Sequence, residues 1–498
     1  MADRLDRVVV RTATALVIGA LAVVFDTTIL SVALHTLASD LHTTVAQIQW
    51  VTTGYLLALA ATVPLSAWCL ARWGGKRVWM VALAIFLVGS VLSGLAWNAD
   101  SLIAFRVLQG VGGGLMLPVM TTMIMEVAGG RQLGRVSAVV GLPAMAGPIL
   151  GPVIGGLILA LGDWRWVFWV NIPFSVVGLL LAWRMLPSDR GRDPERRLDL
   201  VGVLLLVPGL AGLLLGLSDS VLDGGFARLD SWLPLAAGAV LVVAFVLWAL
   251  RRRGAALVDV RLLRVRSVWS ASTLLFLSSV ALYGAMLLLP LFWQQQRGTD
   301  ALGAGLLLVP QGLGTLACRP IAGRLIDRIG ARWIAVVGFA VVAVSTVPFA
   351  LHPTSAADPL LLVALFVRGF GLGAITMPLM VASYQGLAGE QIAHSSILTR
   401  IAQQLGGSFG TAVFAVLLQA AVQGGASVSS AFDTAFWVAT AATVLGVGIA
   451  FLLPSPAQAG AAGRSAVPAP VKEAEPVEEA EPVARPQDAA RPQEVKGA

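Results

Sequence analysis

The sequence predicts an all-α membrane protein whose chain crosses the bilayer fourteen times. Three observations support this prediction. Hydrophobic residues make up 57% of the 498 residues and charged residues only 12%, which is about half the charged fraction of a typical soluble domain. Apolar stretches of about 20 residues, long enough to cross a hydrocarbon core of ~30 Å, recur up to residue 453. A repeated segment further predicts that the helices form two six-helix halves.

Each apolar stretch is interpreted as one transmembrane helix. The predicted spans are 13–35, 47–71, 77–97, 101–125, 134–160, 166–186, 200–218, 232–250, 268–292, 302–323, 333–352, 359–384, 394–421 and 431–453. The first is too long for a signal-peptide core and is not followed by a small-residue cleavage site, so we expect it to remain as the first helix. The predicted divisions are an N-terminal segment 1–12, a six-helix bundle 13–186, a linker with two inserted helices 187–266, a second six-helix bundle 267–453 and a tail 454–498.

The positive charges predict the orientation of the chain. If the N-terminus is cytoplasmic, most Lys and Arg residues fall in cytoplasmic connections or at the two ends, and the opposite connections contain only Arg165, Arg228 and Arg297. We therefore expect a multi-pass protein of the cell membrane with both termini in the cytoplasm. The net charge of +7 follows from this topology, so we expect no nucleic-acid partner.

The composition changes abruptly after Pro454. The following segment is rich in Pro, Ala and Glu and contains no aromatic residue. Such a segment cannot bury enough apolar surface to fold alone. We predict a disordered cytoplasmic tail.

The repeat lies at the end of the second span of each half. "PLSAWCLARWGGKRV", from Pro64, aligns without gaps with "PIAGRLIDRIGARWI", from Pro320. A looser similarity relates "RVLQGVGGGLMLP", from Arg106, to "RGFGLGAITMP", from Arg368. Parallel repeats of this kind are typical of transporters that bind a substrate near the membrane midplane, between the halves.

A single carboxylate in the first span is the strongest functional signal. Asp26, in "FDTTILSV", is the only charge between Thr12 and Leu34, and it lies roughly 18 Å into the membrane by helical rise. Arg106, in the fourth span, lies about 8 Å below the opposite surface of the membrane. The depths of the two residues therefore differ by about one helical turn. Burial favours the neutral acid and a nearby guanidinium favours the carboxylate, so the site could bind and release a proton. The alternative is a static buried ion pair between the two helices.

The fifth span is unusually rich in glycine and proline. "GLPAMAGPILGPVIGG", residues 141–156, contains five glycines and three prolines. Glycine allows close helix approach and proline kinks a helix, so the segment is either a packing seam or a hinge. The candidate hinge residues are Gly141, Pro143, Gly147, Pro148, Gly151, Pro152 and Gly155.

Together, these segments resemble the fourteen-helix drug:proton antiporters of the major facilitator superfamily. The resemblance covers about residues 10–453 and includes "FDTTILSVALHTL", both Pro-initiated repeats, "FRVLQGVGGG", "GLPAMAGPILGPVIGG" and "DWRWVFWVNIPF". It implies the major facilitator fold and export coupled to proton entry.

The resemblance also implies a gate at the repeated junction. The family pattern has an Asp that binds neighbouring helix ends. The second copy has Asp327, whereas the first has Ala71 at the matching position, so we expect Asp327 alone to make this contact. The implied gating residues are Arg72, Gly74, Lys76, Asp327, Arg328 and Gly330.

The remaining motifs indicate neither a metal site nor an enzyme. Cys69 and Cys318 lie inside apolar spans, the four histidines lack ligand spacing, and neither phosphate loops nor nucleophile elbows are found. We expect no cofactor. The candidate substrate-binding residues, each equally compatible with a packing role, are Phe25, Tyr55, Met116, Tyr283, Gln311 and Met377.

The leading hypothesis is a monomeric, proton-coupled exporter of amphipathic organic compounds that confers drug or antibiotic resistance. A dedicated exporter of one self-made antibiotic or metabolite would share every motif. A non-transporting membrane scaffold is a remote alternative, because it does not require Asp26, Arg106 or the glycine-rich fifth span.

Overall fold

The computed structural model describes residues 7–43, 45–128, 154–155, 157–158, 162–189, 193, 195–219, 229–252, 256–299, 301–351, 358–387, 390–425 and 427–454. The regular structure in these residues is helical, without a strand. Twelve of the helical segments are long and apolar enough to cross a membrane. This architecture confirms the predicted all-α, membrane-spanning class. The bilayer favours helices, because a helix satisfies its own backbone hydrogen bonds where water is absent.

The first group of helices covers five of the first six predicted spans. They are α1 (Arg7–Asp40), α2 (Val45–Thr62), α3 (Ser66–Trp73), α4 (Gly75–Gly94), α5 (Ala99–Ala128), α6 (Trp166–Trp169) and α7 (Asn171–Met185). A 3₁₀ turn at Val63–Leu65, which contains Pro64, separates α2 from α3. Proline lacks the N–H of a regular helical turn, so the second predicted span is two helices joined by this turn.

The fifth predicted span lies mostly outside the described residues. Six of its hinge candidates are therefore not described, namely Gly141, Pro143, Gly147, Pro148, Gly151 and Pro152. Gly155 is described and packs closely on α1, because a Cβ atom built there would lie 3.1 Å from the Ile29 carbonyl oxygen. This contact fits the packing interpretation at that one position.

The two inserted helices, α8 (Leu200–Asp219) and α9 (Leu229–Arg251), pack against each other. Small residues at Gly209, Gly212 and Gly238 allow their backbones to approach closely. The buried carboxylate of Asp199 joins the ends of the pair. It accepts hydrogen bonds from the Gly202 backbone N–H at 3.1 Å and from Arg252 Nη1 at 2.6 Å.

The last group of helices covers the final six predicted spans. They are α10 (Arg266–Gln295), α11 (Ala301–Leu307), α12 (Val309–Ile329), α13 (Ala331–Leu351), α14 (Asp358–Tyr384), α15 (Glu390–Gln423) and α16 (Val428–Ala450). Helix α12 is not among the twelve apolar segments; Arg319, Arg324 and Asp327 lower its hydropathy. The predicted tail lies outside the described residues beyond Pro454.

The repeated junction forms the same turn in both groups. Gly74, between α3 and α4, has a φ of +85°, and Gly330, between α12 and α13, has a φ of +79°. Residues other than glycine rarely adopt this left-handed backbone conformation. Both turns therefore favour glycine at the aligned position for the same conformational reason.

The two groups of helices meet mainly on the side of the bundle where α1 begins, which we call the basic side. Helix α15 contacts the Val63–Leu65 turn, α3 and α5 there, and α8 contacts both α2 and α15. One apolar cluster includes Met120 and Ile124 of α5 together with Ala393 and Ile397 of α15. The described helices thus form a continuous core across the two groups on the basic side.

Candidate functional site

Asp26 on α1 and Arg106 on α5 form an ion pair inside the first group of helices. Their Oδ2 and Nη1 atoms are 2.6 Å apart, and the two side chains are 1% and 0% exposed. Close packing brings α5 into this position, since Gly110 and Gly114 lie against the α2 carbonyls of Tyr55 and Leu59. The two charges that the sequence analysis paired are therefore in direct contact.

Two amide side chains complete the surroundings of the carboxylate. Gln109 Nε2 and Asn171 Nδ2 each donate a hydrogen bond of 3.0 Å to Asp26 Oδ1. The Gln109 side-chain oxygen Oε1 also accepts from Arg106 Nη1 at 2.7 Å. Asn171 in turn donates to Ser90 Oγ at 3.1 Å. The network thus joins α1, α4, α5 and α7.

Gln109 and Asn171 were not among the site residues predicted from the sequence. Each is an uncharged polar residue in a motif quoted for other reasons, "RVLQGVGGG" and "DWRWVFWVNIPF". Both side chains are completely buried. Their signal in the sequence is a polar residue within an apolar span. Burying a polar side chain is costly unless it has a hydrogen-bond partner, so such a residue indicates a buried polar contact.

Arg106 is also held by α2 and by aromatic rings. Its Nε donates to the Val51 carbonyl at 3.2 Å, and its Cζ lies 4.1 Å from the Tyr55 ring centroid and 5.6 Å from that of Phe168. Such cation–π contacts stabilise a desolvated cation. The guanidinium is therefore fixed beside Asp26 by several helices rather than by the carboxylate alone.

The arrangement can couple protonation to helix packing. Three donors bind the carboxylate, and one of them is the Arg106 guanidinium. Protonation would remove the charge attraction between Asp26 and Arg106, which is strong at low dielectric. One proton would thus change an interaction between α1 and α5.

The related arginine of the second group has a different environment. Arg368 on α14 donates to Gln311 Oε1 at 2.8 Å, to the Ala281 carbonyl at 2.8 Å and to Thr346 Oγ1 at 3.3 Å. No carboxylate of the described residues forms an ion pair with it. The carboxylate–guanidinium site is therefore found in only one of the two groups as described.

The structure corrects one expectation about the repeated junction. Although the first copy has Ala71 in place of Asp, a carboxylate reaches this junction from Asp189. Its Oδ1 and Oδ2 accept from the backbone N–H groups of Lys76 at 2.7 Å and Arg77 at 3.3 Å. An anion at a helix N-terminus is stabilised by the unpaired N–H groups and the helix dipole. The first junction thus also has a carboxylate bound to a helix end, and it comes from Asp189 rather than from the position that matches Asp327.

Lys76 and Arg72 connect the same junction to the end of α7 and to the segment that follows it. Lys76 Nζ donates to the Trp183 carbonyl at 2.7 Å, near the end of α7. Arg72 Nη1 lies 3.5 Å from the Arg196 carbonyl oxygen. In the second copy, Asp327 and Arg328 lie in the last turn of α12, and the Asp327 side chain is outside the described part of the structure.

The six candidate substrate residues do not line one described cavity. Phe25 packs on Phe174 with ring centroids 5.4 Å apart, and Gln311 binds Arg368. The other four divide between buried and exposed positions, as follows: Tyr55, Met116 and Met377 are buried, and Tyr283 is 47% exposed.

A separate cleft lies between α2, α8 and α15. It is open to solvent, and its lining includes Leu59, Leu210, Leu214, Arg400 and Gln404. Arg400 was not among the residues predicted from the sequence, although it falls within predicted span 394–421. Because it lies near the start of that span, its sequence position does not separate it from the basic residues that set the topology.

Comparisons with known proteins agree with this architecture. The family model of the Major Facilitator Superfamily matches residues 16–411. The chain is 40% identical over 418 residues to a multidrug resistance protein B homolog of Mycobacterium tuberculosis, covering 84% of this chain and 77% of the relative. It is 30% identical over 394 residues to the multidrug export protein EmrB of Haemophilus influenzae, covering 78% and 76% of the two chains.

A solved structure shows the same fold. The proton:xylose symporter XylE bound to 6-bromo-6-deoxy-D-glucose superimposes with a TM-score of 0.63. The match covers 91% of this chain and 98% of that one, at 14% sequence identity. At this identity the likeness concerns the fold alone.

Proposed function

The chain belongs to the major facilitator superfamily, and from this premise we propose that it is a proton-coupled exporter of amphipathic organic compounds. The observation that carries the proposal is the buried Asp26–Arg106 pair, because intramembrane ionisable groups commonly form proton relays. Relatives named for multidrug resistance and multidrug export support drugs as the substrates. In this proposal the protein confers drug resistance without a cofactor or an enzymatic step.

The proposed location is the cell membrane, with both termini and the basic side toward the cytoplasm. The distribution of Lys and Arg supports this orientation. Contacts of α15 with α3 and α5 would then close the cytoplasmic side in this structure. Proton release and drug uptake from the cytoplasm require these contacts to separate. The transporting unit in this proposal is a monomer.

A panel of cationic, neutral and anionic amphipathic compounds tests the export function. Cells deprived of their main efflux pumps should tolerate at least about four times more of several unrelated compounds when they produce this chain. The Asp26→Asn variant is the matched inactive control. Tolerance of a single compound would indicate a dedicated exporter. No change for any compound, with the protein present in the membrane, would contradict the proposal.

We further propose that the Asp189 contact holds the junction between α3 and α4 in the position in which α3 meets α15, and thereby stabilises the closed cytoplasmic side. Asp189→Ala removes the acceptor for two N–H groups at the start of α4, a loss of about 1–2 kcal/mol by analogy with helix caps. The ratio of closed to open molecules should therefore fall by roughly 5- to 30-fold. Native Cys69, which is 5% exposed near this junction, should then react faster with a maleimide in a Cys318→Ser background.

Asp193→Ala is the matched control for Asp189→Ala. Its carboxylate belongs to the same linker but accepts from Glu195 within its own turn. Equal labelling of Cys69 in both variants and in the parent would show that Asp189 does not control the closed state.

A further inference from the structure

We propose that Arg400 and the cleft beside it form a binding site for amphipathic compounds that carry an anionic group such as a carboxylate. The inference rests on the proposed export function and specifies a substrate class for it. The site lies between α2 of the first group, the inserted helix α8 and α15 of the last group.

Arg400 is a charge within an apolar span. It lies nine residues after the start of the segment Gln391–Ala421, which places it roughly 14 Å along the helix. Its side chain is half-buried. An arginine at such a depth is costly unless it meets a partner or faces a polar cavity.

The guanidinium of Arg400 has few partners compared with the other two arginines described above. Arg106 is paired with Asp26, and Arg368 makes two hydrogen bonds of 2.8 Å. Arg400 is 3.4 Å from Gln403 Oε1, longer than the usual 2.7–3.2 Å. No carboxylate among the described residues forms an ion pair with it. Most of its five N–H donors are therefore available to an anion.

The walls of the cleft favour a compound with an apolar body. Leu59, Leu210 and Leu214 face it from α2 and α8, whereas Arg400 and Gln404 supply its polar end. A guanidinium can bind a carboxylate through two parallel hydrogen bonds. A cation in the same position would be repelled, since no described acidic residue lines the cleft. The inserted helix α8 thereby gains a role as a wall of the binding site.

The site is connected to the proton pair through α2. Leu59 lines the cleft, and Tyr55 lies on the same helix. Tyr55 also packs on Arg106, and Leu59 follows it by four residues, which is about 6 Å of helical rise. A compound in the cleft would thus lie about one helical turn from the residues proposed to carry the proton.

Binding to the full chain in nanodiscs tests the site without relying on transport. The probes are 1-pyrenebutyrate and its uncharged amide, detected by energy transfer from tryptophan to pyrene above the signal of empty nanodiscs. Arg400→Gln should weaken butyrate binding by about tenfold or more, and amide binding by less than about twofold. Arg400→Lys should be intermediate, because it keeps the charge and loses the planar fork. Arg165→Gln, at an arginine that is 38% exposed, is the matched control.

Failure of this inference can be distinguished from failure of the export function. Equal effects of Arg400→Gln on both probes, or no butyrate binding by the parent chain, would overturn the site. Charge-selective binding at Arg400 without export from proteoliposomes would support the site and contradict the proposed function. Export that is reduced by Arg400→Gln for the butyrate only would support both.

Discussion

Replacing Asp26 by Asn is expected to abolish export driven by a pH gradient while the protein still reaches the membrane. Asn has nearly the same size and keeps an oxygen that can accept from Gln109 and Asn171, which donate to Oδ1 in the parent. It cannot bind or release a proton. The expected loss is about 100-fold or more, because the substitution removes the proposed coupling step rather than weakening it.

The measurement is export by purified protein in proteoliposomes under an imposed pH gradient, using a compound identified by the panel. Asn leaves Arg106 buried without its counterion, and breaking a buried pair can cost about 3–5 kcal/mol. Protein recovered from the membrane is therefore quantified for each variant. Asp26→Glu, which keeps an ionisable group, should recover part of the activity. Asp163→Asn, in an exposed pair of 3.6 Å with Arg165, should behave like the parent. Undiminished export by Asp26→Asn would contradict the role of Asp26.

The sequence was sufficient to predict most of the helices. Their apolar stretches must form helices in a bilayer, so length and hydropathy determine where they lie. The Pro64 break was not predicted, because a proline inside an apolar stretch can kink a helix or interrupt it. The repeated Gly74 and Gly330 were informative for a local reason, since their left-handed turn depends only on neighbouring residues.

Partners in the site were harder to predict than its charges. Asp26 and Arg106 stand out because each is a charge inside an apolar span. Asn171 lies 145 residues from Asp26 in sequence, and Asp189 lies 113 residues from Lys76. Both contacts depend on which helices pack together and in which rotation. Hydropathy describes neither property, so the residues that surround a charge appear only once the helices are assembled.

Replacing Arg106 by Leu is expected to shift the pH dependence of export and not merely to slow it. The substitution removes the only cation paired with Asp26 in the described structure, so burial and the two amide donors remain to act on the carboxyl group. Loss of a nearby positive charge favours the protonated acid. The variant should take up its proton from outside readily and release it poorly to the cytoplasm.

Export by Arg106→Leu should therefore fall by at least about tenfold at an internal pH of about 7 and recover partly as the internal pH is raised. Arg106→Lys should be milder, since it keeps the charge and loses only the planar fork. Arg368→Leu is the matched control, because Arg368 is similarly buried but binds uncharged oxygen atoms. It can lower the rate, but it should leave the pH at half-maximal export unchanged. The same pH profile in Arg106→Leu and the parent would mean that Arg106 does not set the proton affinity of Asp26. The two amides, Gln109 and Asn171, would then be the groups that control it.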